Sequence, residues 1–171
     1  ARNGYLAFKN NLSSSGPLFE NVDWSRTKAY ALGFNSIYIN LKGREGKGIV
    51  ESDIADSLCN EIIKGLEQWY DGNIPVITKA YKSKDIYNTR YNNGPDLVIG
   101  YNRGYRASKQ TVLGSAPDGL LIEDNHELWS GDHCCDPELV PGVLFGANIQ
   151  SLPDNICVVD IANLISKVFF L

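Results

Sequence analysis

Hydrophobic and polar residues between positions 52 and 70 follow the period of an α-helix. Apolar side chains recur at helical spacing: Ile54, Leu58, Ile62, Leu66 and Trp69. Ser52 suits the N-cap and Asp53 suits the positive end of the helix dipole. Asp71-Gly72-Asn73 is a typical helix end. The pattern therefore predicts one amphipathic helix from Ser52 to Tyr70.

Shorter apolar segments have the composition of β-strands. Residues 28–33 and 36–41 are rich in β-branched and aromatic side chains, which predicts two paired strands joined by a tight turn. Strand character returns from Ile74 to Tyr81. The apolar run Leu97-Val98-Ile99, bracketed by glycine and proline, predicts a strand that is buried on both faces.

A second amphipathic helix is predicted near the C-terminal end. Its apolar face would contain Val158, Ile161, Leu164, Ile165 and Val168. This order of elements predicts an α/β fold, with a mixed sheet and flanking helices, in one compact unit spanning 1–171. A chain of 171 residues is long enough for a single domain with its own core.

The composition excludes some classes of protein. A net charge of −4 provides no basic field that would attract nucleic acid or an anionic membrane. No apolar run approaches the roughly 20 residues that span a bilayer. The chain contains no methionine, so we expect a fragment of a longer protein. It has no apolar signal-peptide core at its start, and we therefore expect a cytoplasmic location.

The four cysteines favour reduced thiols. Cys59 and Cys157 fall in helical patterns, which predicts small buried side chains. The adjacent Cys134 and Cys135 could form only a strained disulfide, and no CxxC pair indicates structural zinc.

Two glycine-containing loops carry cations. The loop from Lys42 to Gly48 could grip an anion through its backbone N–H groups, or could be a mobile hairpin tip. The loop from Tyr101 to Ser108 contains Arg103 and Arg106, whose guanidiniums can bind phosphate bidentately. A salt-bridged surface loop is the alternative for this second segment.

The segment 129–137 concentrates reactive side chains. His133 lies among two carboxylates and two thiols, and we predict that it is a metal ligand. His126, in the acidic segment 123–127, could be another ligand, but a surface histidine is favoured.

Long motifs resemble one family. They are Asp23-Trp24-Ser25-Arg26-Thr27-Lys28-Ala29-Tyr30-Ala31-Leu32-Gly33, Ile37-Tyr38-Ile39-Asn40-Leu41-Lys42-Gly43-Arg44-Glu45, Pro95-Asp96-Leu97-Val98-Ile99-Gly100-Tyr101, Gly104-Tyr105-Arg106-Ala107-Ser108 and Trp129-Ser130-Gly131-Asp132-His133 with Asp136-Pro137 and Val140-Pro141-Gly142-Val143-Leu144-Phe145. The chain resembles the type I phosphodiesterase/nucleotide pyrophosphatase-like branch of the alkaline phosphatase superfamily, which contains phosphohydrolases and phosphomutases. The resemblance covers nearly the whole chain.

The resemblance implies a two-metal site, with zinc or manganese, and a Ser or Thr nucleophile. His133 resembles the last metal ligand, and Asp132 is a candidate to orient its imidazole. The nucleophile and the other ligands are expected upstream of this sequence, so no catalytic residue is assigned here. A catalytic zinc usually has three protein ligands, and we therefore expect the isolated chain to bind no metal and to be inactive.

The resemblance also implies an internal division. Residues from about 22 to 118 would form a cap-like insertion, and 119–171 would return to the metal-site core. Arg44, Arg103 and Arg106 become candidates for binding the substrate phosphate. The alternative is that these arginines brace the cap through carboxylates or backbone carbonyls.

Two functions follow as hypotheses. The first is the C-terminal portion of a metal-dependent phosphoester hydrolase or phosphomutase, whose partners are a phosphorylated small molecule and the remainder of its own catalytic domain. The alternative is a noncatalytic α/β module that binds a phosphate ligand or a protein.

Overall fold

A computed structural model of the chain describes residues 4–9, 19–87, 93–113, 120–129, 131, 133–147 and 156–169. The chain divides into two compact units, Ala1–Val140 and Pro141–Leu171. The first unit contains the sheet and the two loops that carry arginines. One is loop 42–48 with Arg44, and the other is loop 101–108 with Arg103 and Arg106, which we call the arginine loop. The predicted boundary between a cap-like insertion and a core near residue 118 stays a prediction.

The first unit is built on a four-stranded sheet. Its strands are β1 (Ala29–Ala31), β2 (Ser36–Ile39), β5 (Ile77–Lys82) and β6 (Leu97–Tyr101), in the order β1-β2-β6-β5. Neighbouring strands are antiparallel, with Ala29 opposite Ile39 and Ile37 opposite Leu97. The predicted pairing of the first two strands is therefore confirmed. So is the α/β class, although parallel pairing occurs only as isolated bridges among the described residues.

Helix α1 spans Ser52–Glu67, which confirms the predicted helix but not its predicted end at Tyr70, because Tyr70 is the first residue of a strand. Its buried residues Leu58, Cys59 and Ile62 pack in one core with β-strand residues such as Ile39 and Leu97. The predicted N-cap is wrong by one position. Glu51 has extended backbone angles and precedes the helix, whereas Ser52 is its first helical residue.

The segment predicted as one strand from Ile74 to Tyr81 forms two. A hairpin joins β3 (Tyr70–Asp71) to β4 (Ile74–Pro75), and its turn contains Gly72 with a φ of 58°. Strand β5 then starts at Ile77 and pairs with β6, with a register shift between Ile77 and Lys79.

Strand β6 is buried mainly through alternate residues. Leu97 is fully buried and Ile99 is 3% exposed, while Val98 between them is only half-buried. Gly100, on the same face as Val98, is buried, so the prediction of a strand buried on both faces holds except at Val98 and the terminal Tyr101, which are half-buried. Short helices α2 (Ser83–Ile86) and α3 (Lys109–Val112) follow β5 and β6.

The second unit contains a 3₁₀ turn at Val158–Asp160 and helix α4 at Ile161–Phe169. The predicted final helix is thus confirmed from Ile161 onward. Val158 is 84% exposed and lies in the 3₁₀ turn before the helix. Cys157 is exposed, so its predicted burial is wrong. Among the residues that the structure describes, no helix combines the length and the apolar character needed to cross a membrane.

Candidate functional site

The loop that carries His133 pairs with the end of strand β6. The Tyr101 amide donates to the Cys134 carbonyl at 2.9 Å, and the Asp136 amide donates to the Tyr101 carbonyl at 2.9 Å. Cys135 thereby forms a parallel bridge with Tyr101. The two bonds hold residues 134–136 beside the last residue of the strand, at the edge where the arginine loop begins.

Asp136 is buried at this junction, with no exposed surface. Its Oδ2 accepts a hydrogen bond from the Tyr81 hydroxyl at 2.8 Å, and its Oδ1 accepts one from the Glu138 amide at 3.0 Å. Burial, together with the hydrogen bond to Asp136, raises the pKa of Tyr81 to about 12. Tyr81 is therefore a neutral donor over the physiological pH range.

The close approach of Asp136 depends on a glycine in β6. A Cβ atom at Gly100 would lie 2.2 Å from Asp136 Oδ2, far inside the van der Waals contact distance. A glycine within a strand commonly marks such an approach by another part of the chain. The carboxylate occupies the space that a side chain would fill.

Arg103 and Arg106 both contact the backbone of the His133 loop. Arg103 Nη2 donates to the Leu139 carbonyl at 2.9 Å, and Arg106 Nη1 lies 3.5 Å from the Gly131 carbonyl. Within the described part of the chain, neither arginine forms an ion pair with a carboxylate. The structure thus brings together the arginine loop and the His133 loop, which lie about 30 residues apart in the sequence.

Lys109 and Glu127 extend this contact between the two segments. Lys109 Nζ bonds Glu127 Oε2 at 2.9 Å. That hydrogen bond, aided by the positive charges of Lys109 and Arg106, lowers the pKa of Glu127. The pair is exposed, so it contributes little to stability.

Arg44 lies elsewhere, with an environment of its own. Its guanidinium donates to both carboxylate oxygens of Asp96, at 3.0 and 2.7 Å, and to the Ile39 carbonyl at 2.6 Å. Its Nε donates to Glu45 at 3.0 Å, and the side chain is only 15% exposed. This is the bracing arrangement that the sequence left open as an alternative. It also makes the Lys42–Gly48 loop a well-anchored turn. The contacts of Arg103 and Arg106 with backbone carbonyls are of the same bracing type.

His133 is exposed, and Asp132 lies outside the described residues. His126, the other histidine, is also exposed. Among the described residues no group of three His, Cys, Asp or Glu side chains is placed to hold a metal ion. A zinc site with three protein ligands therefore does not fit the described residues by themselves.

Sequence patterns missed the role of Asp136. Asp136 caps the 3₁₀ turn at Pro137–Leu139, and the Asp-Pro order is a typical start for such a turn. That local feature could have been predicted. Its bond to Tyr81, 55 residues away, could not, because it depends on the order of strands in the sheet.

Comparison with known proteins gives no relative: no protein-family model, no curated protein and no solved structure matches the chain.

Proposed function

We propose that this chain is the C-terminal portion of a metal-dependent phosphoester hydrolase or phosphomutase, in which His133 is one metal ligand. The observation that carries the proposal is the contact between the arginine loop and the His133 loop. Arg103 contacts the Leu139 carbonyl, and Arg106 contacts the Gly131 carbonyl. Phosphate chemistry needs cationic donors beside the metal ligands. We assign this task to the N–H groups of Arg103 and Arg106 other than those bonded to the two carbonyls, since a guanidinium has five N–H donors.

Each group in this arrangement has a chemical task that suits it. A guanidinium binds two phosphate oxygens through parallel N–H donors. A neutral imidazole is a common ligand of zinc. We assign phosphate binding to Arg103 and Arg106 and leave Arg44 out, because its donors are already directed to Asp96, Glu45 and Ile39.

The remaining metal ligands and the nucleophile would come from polypeptide outside this sequence. When bound, a pair of divalent metal ions would supply the positive charge that stabilises the oxygens of the transferred phosphoryl group. The part played by this chain is to present His133 and to orient the phosphate through its two arginines. We propose the remainder of the same catalytic domain as the partner that completes the site.

Exposed apolar side chains support such a partner. In the first unit, Leu128 and Trp129 are 106% and 66% exposed, close in sequence to His133. In the second unit, Val143 and Phe145 are 83% and 91% exposed. Contiguous exposed apolar patches commonly mark surfaces that another polypeptide covers, and we propose that these residues contribute to such a patch in each unit.

The cysteines bear on where the protein functions. Cys59, Cys135 and Cys157 carry free thiols, which a reducing compartment maintains. We therefore include a cytoplasmic location in the proposal.

The first experiment assays the complete gene product with zinc or manganese. Substrates are p-nitrophenyl phosphate, bis-p-nitrophenyl phosphate and a nucleotide pyrophosphate, which separate monoester, diester and pyrophosphate hydrolysis. His133→Ala should lower kcat/KM by about 100-fold or more, because a metal ligand is lost. His126→Ala, which removes the other exposed histidine, is the matched control and should leave activity unchanged. Equal activity of the two variants would contradict the proposal.

The second experiment addresses the arginines. Arg103→Ala and Arg106→Ala should each raise KM about 10-fold or more through loss of a charged hydrogen bond to phosphate. Arg26→Ala, whose side chain is 64% exposed, is the control. If phosphate binding survives His133→Ala and metal chelation but is lost in the arginine variants, the noncatalytic binding module is the better description.

A further inference from the structure

Asp136, Tyr81 and Gly100 meet where the His133 loop pairs with strand β6, and together they favour one register of that pairing. The sequence of β6 is Leu97-Val98-Ile99-Gly100-Tyr101, so only one of its positions lacks a side chain. The Asp136 carboxylate lies against that position, where a Cβ would be 2.2 Å from Oδ2. A shift of the loop along the strand would bring the carboxylate against a neighbouring side chain.

A shift would also break the polar contacts of the carboxylate. Asp136 is fully buried, and Tyr81 on the adjacent strand β5 donates to it at 2.8 Å. A buried carboxylate that loses its hydrogen-bond donor pays a large desolvation penalty. Buried polar groups can specify register for this reason, as a single polar residue does in coiled coils.

We propose that Tyr81 and Asp136 are positioning residues that set the register of the His133 loop on strand β6. The segment between Asp136 and His133 is short, and its Cys134 carbonyl is already bonded to the Tyr101 amide. The same loop supplies Leu139 and Gly131, the acceptors of Arg103 and Arg106. Its register therefore determines where His133 stands relative to both arginines. The functional consequence rests on the proposed function, whereas the register itself does not.

The test compares Tyr81→Phe and Asp136→Asn with Tyr5→Phe. Tyr81→Phe removes one hydroxyl and keeps the ring, so it is expected to fold. Tyr5→Phe is the matched control, since it removes a hydroxyl that bonds Glu61 at 2.7 Å, in a contact with helix α1. Amide hydrogen exchange of Tyr101 and Asp136 in the 171-residue chain measures the register contact directly. Steady-state kinetics of the complete gene product, with zinc, measures its consequence.

The proposal expects two changes in Tyr81→Phe and Asp136→Asn that Tyr5→Phe lacks. Exchange of the Tyr101 and Asp136 amides should accelerate about 10-fold or more, since the loop leaves the strand more often. The kcat should fall about 10-fold to 100-fold with KM within about 2-fold of the wild type, because a misplaced ligand harms the reaction more than substrate binding. Partial unfolding would also lower the apparent kcat at constant KM, so kcat is calculated per folded molecule, with the folded fraction of each variant measured by circular dichroism.

Other outcomes would overturn it. Exchange rates and kinetics equal to those of Tyr5→Phe would show that Tyr81 and Asp136 do not set the register of the His133 loop. Faster exchange with unchanged kcat, in a protein that His133→Ala inactivates, would also refute positioning. If His133→Ala leaves activity intact, the proposed function fails, and the exchange rates alone then decide whether Tyr81 and Asp136 set the register.

Discussion

Arg44 and Asp96, 52 residues apart in the sequence, form a two-point ion pair. Both carboxylate oxygens accept from the guanidinium, at 3.0 and 2.7 Å, and Asp96 Oδ2 also accepts from the Ile39 amide at 2.6 Å. The hydrogen bonds to Asp96 are the main cause of a raised Arg44 pKa. The pair therefore ties the glycine-rich loop to strand β2 and to the start of β6.

Arg44→Ala should destabilise the protein by about 2–3 kcal/mol, because it leaves the Asp96 carboxylate without its half-buried cation. Urea unfolding followed by circular dichroism measures the free energy. Lys42→Ala is the control from the same loop. Its partner Glu51 and Lys42 itself are 56% and 63% exposed, so the expected loss is much smaller than that of Arg44→Ala. Equal losses would show that the Arg44–Asp96 pair contributes no more to stability than the exposed Lys42–Glu51 pair.

Gly48→Ala should destabilise the protein by at least about 2 kcal/mol through steric overlap. A Cβ at position 48 would lie 2.0 Å from the Leu41 carbonyl oxygen, a backbone atom that cannot rotate away. Gly46→Ala in the same loop has no atom within 4 Å of the added carbon and should be nearly neutral. Thermal unfolding of the two variants checks the contrast, and a neutral Gly48→Ala would contradict the close backbone approach.

Stability should fall at alkaline pH through two tyrosines. Burial raises the pKa of Tyr30 to about 12, with Glu45 adding to the shift, and burial and Asp136 raise that of Tyr81 to about 12. Both pKa values exceed the unfolded value near 10. The native state therefore favours the neutral hydroxyl, and its contribution is complete below pH 10 and lost as the pH rises toward 12.

Urea midpoints measured at about pH 8 and about pH 11 test this dependence. Tyr30→Phe and Tyr81→Phe should each reduce the alkaline loss of stability, since each removes one titrating hydroxyl. An unchanged loss in both variants would show that these two hydroxyls titrate alike in the folded and unfolded states.

The thiols of Cys157 and Cys59 should react with a labelling reagent at different rates. Cys157 is exposed, whereas Cys59 lies on the buried face of α1 and is 6% exposed, and burial raises the pKa of Cys59 to about 11. Iodoacetamide in the native state should modify Cys157 quickly and Cys59 only as the protein unfolds, because the reactive species is an accessible thiolate. Mass spectrometry of tryptic peptides identifies each site. Similar rates at both would contradict the burial of Cys59, and Cys157→Ser should leave the Cys59 rate unchanged.

Local patterns predicted much of the fold. The apolar spacing in 52–67 specifies a helix, and the turn at Gly33 with flanking strand residues specifies the first hairpin. The error at Ser52 concerns a single cap, and the segment 74–81 is split at one residue, Val76, between β4 and β5, so both errors are local. The candidate site was predicted only as separate segments, one containing His133 and another containing Arg103 and Arg106.

The sequence by itself determined which segments are helical or extended, because side-chain periodicity and turn chemistry act between near neighbours. Only the tertiary structure decided which charged groups are engaged. Arg44 pairs with Asp96 and Asp136 bonds Tyr81 across separations of 52 and 55 residues. Such contacts follow from the order β1-β2-β6-β5, which no local pattern specifies, because burial of a shared core selects one strand order among many.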